Sequence, residues 1–171
     1  MAVNLIKVIL MQLTSSQRSF LSGVHFAVVS TIASDGMPHQ TVMWYMLDGD
    51  KLLLSTPRNS LKHKHLKRDN RISVCVEKGY TYVTLTGKVT LNEELVSARV
   101  DYDRLGKRYR ATFNPLMILG FIWRGQIANI KRRLKGETST GTDTNRMQDL
   151  LTRERVTLHM QIEKVHSNSL D

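Results

Sequence analysis

Short β-prone segments alternate along this chain with turn signals that leave room only for antiparallel connections. Asp35-Gly36, Asp48-Gly49-Asp50 and Lys78-Gly79 each stand between two such segments. A parallel pair needs a crossover of a dozen or more residues, whereas an antiparallel pair can be joined by about two. The three turns therefore predict three hairpins.

The same pattern predicts six strands, at Phe26–Ala33, Pro38–Leu47, Lys51–Thr56, Arg71–Glu77, Tyr80–Leu91 and Arg155–Val165. Apolar and polar residues alternate in the fifth strand, so one of its faces is buried. Gly87 interrupts that strand and predicts a bulge, a device common in barrels. We therefore expect an α+β fold, a six-stranded antiparallel barrel with flanking helices.

Three helices complete the prediction. Thr14 to Gln17 reads as a capping box that opens a helix ending near Ser22-Gly23. A short basic helix spans Asn59–Arg68, and Glu93–Arg110 forms a third, with Leu95, Val96, Val100 and Leu105 towards one side. A chain of 171 residues fits a single domain, residues 1–171.

Charge and cysteine content restrict the function classes. The net charge of +10 predicts attraction to anions, such as phosphorylated cofactors, nucleic acid or anionic membranes. The cations are spread out and aromatic residues make up only 6%, which disfavours nucleic acid. Cys75 is the only cysteine; we expect it to pack inside the barrel, in a cytoplasmic protein.

The stretch from Leu52 to Val76 holds a candidate phosphate site. A strand ends in Ser55 and Thr56, the chain turns, and a helix restarts at Ser60 with Lys62 in its first turn. Helix N-termini offer free N–H groups and a positive dipole end to phosphates. The plainer interpretations are an ordinary strand end and a solvated lysine.

Other polar residues predict no further chemistry. His63 and His65 are two apart on a helix and so point in different directions, which disfavours a metal site. Asp101 and Asp103 lie among arginines and read as a solvated helix face. The sequence thus offers no metal ligands and no catalytic residue.

Several stretches, taken in order, resemble the pyridoxamine 5′-phosphate oxidase-like split-barrel flavoproteins. They are Phe20-Leu21, Phe26–Thr31, Asp35–His39, Trp44-Tyr45, Asp48–Thr56, Ser60, Lys62, Leu66, Arg68-Asp69, Arg71–Val74 and Gly87–Val89. The similarity covers residues 14 to 110 and the last strand.

This resemblance implies a homodimeric split barrel that binds flavin mononucleotide (FMN) or a deazaflavin, coenzyme F-420, at the subunit interface. Thr41, Val42, Met43 and Trp44 would lie along the ring, Ser55, Thr56, Ser60 and Lys62 would bind the phosphate, and Tyr82 would contact the ring. Leu61 and Thr41 stand where true pyridoxamine oxidases carry basic residues, and the Trp-Arg-Leu ending is missing. These departures favour the reductase branch.

The expected function is therefore hydride transfer to or from a small organic acceptor, with the chemistry in the ring. The alternative is a non-enzymatic flavin- or haem-binding protein of the same fold. An extra basic segment, at about 113–144, reads as a surface helix, as a lid that contacts an anionic cofactor tail, or as a helix on an anionic membrane.

Overall fold

A computed structural model describes residues 12–110 and 153–170. In that part of the chain, seven strands and three helices follow one another. Their bounds are α1 Ser15–Ser22, β1 Ala27–Ile32, β2 Pro38–Met43, β3 Tyr45–Asp48, β4 Lys51–Pro57, α2 Leu61–Arg68, β5 Arg71–Lys78, β6 Thr81–Asn92, α3 Leu95–Arg110 and β7 Arg155–Asn168. The basic segment at 113–144 lies outside the described residues.

The strands form one curled antiparallel sheet, in the order β2-β1-β5-β6-β7-β4-β3. The three predicted hairpins are confirmed, since β1 pairs with β2, β3 with β4, and β5 with β6. The sheet curls into a half-barrel because its two edge strands, β2 and β3, are consecutive in sequence and only Trp44 separates them.

The break at Trp44 divides what the sequence predicts as a single strand, Pro38–Leu47. The hydroxyl of Tyr109, at the end of α3, accepts a bond from the Tyr45 amide at 3.0 Å and lies 3.1 Å from the Tyr45 carbonyl. The indole of Trp44 stacks on the same tyrosine, with ring centroids 4.8 Å apart. A side chain from a distant helix therefore satisfies backbone groups that a neighbouring strand would otherwise bind.

The core fills the inside of the curl, and α2 closes one end of it. Fully buried residues from opposite walls include Tyr45, Leu54, Val74 and Leu85, and Leu66 of α2 packs against them. α2 contacts β1, β4 and β6. Its burial in the core fixes where the first turn of α2, which carries Lys62, lies relative to the sheet.

The bulge predicted at Gly87 is confirmed. The register between β6 and β7 shifts between Thr86 and Gly87. A Cβ atom at Gly87 would lie 1.9 Å from the Gln161 carbonyl oxygen, far inside van der Waals contact. Glycine is therefore required here for close approach of two backbones.

Two predictions about α3, its apolar face and its solvated aspartates, are each wrong in part. The helix buries Ala98, Leu105 and Tyr109, whereas Leu95, Val96 and Val100 are exposed. Asp103 is solvated as predicted and pairs with Arg99, but Asp101 is not solvated, because its carboxylate accepts bonds from Thr157 (3.1 Å) and His159 (2.9 Å) on β7. The helix is thus held by polar contacts to β7 as well as by its buried residues, while its apolar N-terminal residues face outward.

The prediction that Cys75 packs inside the barrel is also wrong. Val74 and Val76 point into the core and are fully buried, so the side chain of Cys75 between them points to the outer face, where it is half-buried.

The capping box predicted for α1 is confirmed: Thr14 and Gln17 exchange both bonds. In residues 12–110 and 153–170, no helix has the length and hydropathy needed to cross a membrane.

Candidate functional site

The curled sheet is open between β2 and β4. β3 pairs with β4 from Lys51 to Leu54 and no further, so among the described strands Ser55 and Thr56 have no neighbour on that side. β2 is an edge strand and pairs only with β1. Within residues 12–110 and 153–170, both strands therefore leave backbone N–H and C=O groups unpaired on these sides, which leaves room for a ligand.

Hydroxyl groups line the β4 side of the opening. The hydroxyls of Thr56 and Ser60 lie 2.9 Å apart, and Ser60 caps α2 by accepting a bond from the His63 amide. Ser55, on the opposite face of β4, donates to the Val156 carbonyl. These bonds fix the turn between β4 and α2.

Two cations meet at this turn. The guanidinium of Arg155 donates from Nε to the Ser55 hydroxyl at 3.0 Å, and it stacks over the Tyr102 ring with its Cζ 4.3 Å from the centroid. Burial lowers the pKa of Lys62, and the charge of Arg155 lowers it further. Burial also lowers the pKa of Arg155. Within residues 12–110 and 153–170, no carboxylate forms an ion pair with either side chain.

This arrangement fits an anion. Two partly buried positive charges repel each other, and removing them from water is costly unless a negative charge compensates. A phosphate group would supply that charge and would accept charge-assisted bonds from both side chains. The residues present therefore fit the phosphate of a bound cofactor.

The predicted ring-contact residues lie on both faces of β2. Thr41 points to the inner face, and its Oγ1 is buried with no hydrogen-bond partner in the described part of the chain. Met43 points the same way and belongs to the core, whereas Val42 points outward and is 65% exposed. A buried unpartnered hydroxyl is costly, so Thr41 also fits a ligand that is not part of the chain.

The inner face of β2 reaches α2 through two histidines. The rings of His39 and His65 meet edge to face, 5.4 Å between centroids, and His65 Nδ1 lies 3.1 Å from the Thr31 hydroxyl. Burial lowers the pKa of His65, and the charges of His39, Arg68 and Lys62 lower it further. His65 therefore contributes a neutral ring near neutral pH beside the cationic turn.

Tyr82 does not join this group within one chain. It pairs with Asn168 at the far end of β7, whereas Ser55 pairs with Thr157 near its start. That separation is roughly 35 Å along the strand. Its hydroxyl lies 3.2 Å from His166 Nε2.

Sequence reasoning missed Arg155 as a site residue. The sequence pattern places it only as the first residue of the last strand, and its distance of 100 residues from Ser55 gives no local signal. The only clue in the sequence is a cation at the start of that strand, and nothing local indicates which strand it pairs with. Only the pairing of β4 with β7, Pro57 opposite Arg155, makes the two neighbours.

Solved structures share this fold at low identity. An F-420 reductase matches with a TM-score of 0.60 and 18% identity, over 90% of this chain and 98% of that one. A conserved hypothetical protein from Mycobacterium tuberculosis matches with a TM-score of 0.61 and 21% identity, over 93% and 86%. General stress protein 26 from Bacillus anthracis matches with a TM-score of 0.55 and 15% identity, over 94% and 97%.

Sequence comparison agrees with the shared fold. No curated protein matches the sequence. The family model for pyridoxamine 5′-phosphate oxidase matches residues 13–133, which is more than half of the chain. Together with the split-barrel fold, this match shows that the chain belongs to the pyridoxamine 5′-phosphate oxidase family.

Proposed function

We propose that this protein binds a phosphorylated flavin, FMN or the deazaflavin coenzyme F-420, and transfers a hydride to or from a small organic molecule. The observation that carries the proposal is the pair of half-buried cations, Lys62 and Arg155, beside the hydroxyls that end β4. The family and the F-420 reductase with the same fold support a flavin-type ligand.

Each part of the site has a separate role in this proposal. Lys62 and Arg155 bind the phosphate, and Ser55 orients Arg155. Thr56 and Ser60 hold the turn, and the hydroxyl of Thr41 donates to the ligand. The unpaired edge of β2, with Val42, Met43 and Trp44, lies along the ring.

The bound ring supplies the hydride chemistry, and the protein supplies orientation and electrostatics. Lys62 and Arg155 make the phosphate end of the site positive, and a neutral His65 adds no charge to it. Because that field favours a phosphorylated ligand over a neutral one, we expect it to fix the direction in which the cofactor lies.

We also propose that the chain is a cytoplasmic homodimer. On the outer face of the sheet, Val42 and Phe26 are 65% and 55% exposed, and Phe26 stays exposed although its ring centroid lies 5.9 Å from that of Tyr109 in α3. A symmetric partner on this face would bury them, and it would bring its own Tyr82 towards the site. Light scattering should give twice the chain mass of 19.6 kDa; a monomer with full cofactor affinity would overturn this.

The basic segment at about 113–144 is proposed to contact the anionic tail of the deazaflavin. Arg124, Lys131, Arg132, Arg133 and Lys135 provide five cations in a short stretch of sequence. Neutralising Lys131, Arg132 and Arg133 should weaken binding of the deazaflavin and leave FMN nearly unchanged. Equal loss for both cofactors would assign the segment to the fold or the dimer, and loss of vesicle binding alone would favour the membrane.

The deciding experiment is a titration of the cofactor-free protein with FMN, riboflavin and the deazaflavin, followed by absorption and fluorescence. At least one phosphorylated cofactor should bind saturably, and FMN should bind more tightly than riboflavin, which lacks the phosphate. Folded protein that binds none of the three at tens of micromolar would exclude the proposal. Tight binding without turnover of any acceptor would favour the non-enzymatic alternative.

A further inference from the structure

The proposed phosphate site brings together two groups that repel each other. Lys62 belongs to α2 and Arg155 to β7, and the charge of Arg155 lowers the pKa of Lys62 in the folded protein. In the absence of a bound anion, this repulsion favours moving the first turn of α2 away from β7. Other contacts must therefore hold the turn in place before a ligand arrives.

His63 makes those contacts from the first turn of α2. Its Nδ1 accepts a bond from the Asn59 amide at 3.0 Å, and its Nε2 lies 2.5 Å from Oε1 of Glu93, beyond the end of β6. His63 is 2% exposed, although it belongs to a short helix with four lysine and arginine residues. One buried ring thus ties the turn before α2 to the end of a strand.

A second connection runs parallel to the first. The amide of Arg58 donates to the Glu154 carbonyl at 2.8 Å, and its guanidinium pairs with the Glu154 carboxylate and donates to the Glu93 carbonyl. Arg58 therefore fastens the same turn to the residue just before Arg155. The two connections meet at Glu93.

The geometry defines the form of the ring. A backbone amide can only donate, so Nδ1 of His63 carries no proton, and in the neutral ring the proton is on Nε2 and is donated to Glu93. Asn59 has φ of 63°, a left-handed conformation that costs free energy in a non-glycine residue. The bond from His63 Nδ1 compensates for that cost and fixes the direction in which the chain enters α2.

We propose that His63 is a positioning residue for phosphate recognition: through Nδ1 it holds the Asn59 turn and keeps Lys62 near Arg155. This inference rests on the proposed function, since it concerns the same phosphate. In this proposal His63 does more than pack in the interior, because it also holds Lys62 in position for the phosphate.

Two variants, His63→Asn and His63→Gln, distinguish a positioning role of His63 from simple packing in the interior. In His63→Asn, the amide oxygen can take the place of Nδ1 and accept from Asn59, but the side chain is too short to reach Glu93. In His63→Gln, the amide can reach Glu93 but places no acceptor at the Nδ1 position. Both remove the ring, so both should lower the melting temperature.

The readout is the preference for FMN over riboflavin, measured by flavin fluorescence for the wild type and both variants. We expect the preference to fall about tenfold in His63→Gln, the equivalent of one lost hydrogen bond, and to stay within about threefold in His63→Asn. Equal preference in the two variants would overturn the proposal. A wild type that binds flavins without preferring FMN would instead overturn the phosphate site itself.

A measurement on the unmodified protein keeps the inference testable if a variant does not fold. The ¹⁵N spectrum of the histidine rings should show His63 with Nδ1 unprotonated, and the Asn59 amide should be protected from hydrogen exchange although the residue is exposed. A proton on Nδ1, or an unprotected Asn59 amide, would contradict the proposed role.

Discussion

Replacing Lys62 by methionine tests the proposed phosphate site most directly. Methionine keeps an unbranched apolar stem of similar length and removes only the charge. Lys64→Met is the matched control, because Lys64 is exposed on the same helix and its loss changes the net charge of +10 by the same amount. Any difference between the two variants therefore reports position rather than overall charge.

The expected magnitude follows from the contacts of the site. A hydrogen bond to a charged group contributes roughly 1.5–3 kcal/mol, so FMN affinity should fall about 10- to 150-fold in Lys62→Met. In Lys64→Met it should change by less than about threefold, since an exposed charge is screened. Without ligand, Lys62→Met should not be less stable, because the substitution removes the repulsion from Arg155 that lowers the pKa of Lys62.

The assay is fluorescence titration with FMN and with riboflavin, together with urea unfolding of the cofactor-free proteins. The loss in Lys62→Met should appear for FMN and be small for riboflavin. Equal losses for the two ligands, or a similar loss in Lys64→Met, would refute the assignment of Lys62 to the phosphate. A fall in cofactor-free stability beyond about 1 kcal/mol would show that the lysine is needed for the fold instead.

Four further outcomes are expected. Arg155→Gln should weaken FMN binding about tenfold and leave riboflavin nearly unchanged in the same titration. Thr41→Val should leave the cofactor-free free energy of unfolding unchanged or raise it by up to about 1–2 kcal/mol, because it removes a buried unpartnered hydroxyl, while weakening flavin binding; a clear loss of stability would show that the hydroxyl has a structural partner. Gly87→Ala should cost about 2 kcal/mol or more in urea unfolding, since its Cβ would lie 1.9 Å from the Gln161 oxygen. Burial lowers the pKa of His65 from its ordinary value of 6.5, so below that pH the unfolded chain binds the extra proton first and stability falls as pH falls; the drop between about pH 7.5 and about pH 5.5 should be smaller in His65→Gln.

The sequence by itself determined the local elements and the order in which they occur. Hairpin turns, the capping box at Thr14 and the bulge at Gly87 depend on residues close together in the chain, so their signals are local. The family resemblance added the split barrel and the turn around Ser60 and Lys62, because those residues also form one continuous stretch. Tyr82 remains a proposal that depends on a partner chain.

Only the tertiary structure decided which side chains meet across the fold. Arg155 lies beside Ser55 because β7 pairs with β4, and Tyr109 divides the second predicted strand because α3 packs against Trp44 and Tyr45. α3 buries Leu105 and Tyr109 and is also held by the bonds that Asp101 accepts from β7, so its apolar N-terminal residues alone did not decide its buried face. Such contacts join residues far apart in sequence, and their free energy depends on burial, pairing register and charge. Burial, pairing register and charge environment are set only once the sheet has curled. The site is built from a strand end, a helix turn and a distant arginine, so only part of it could be located from the sequence.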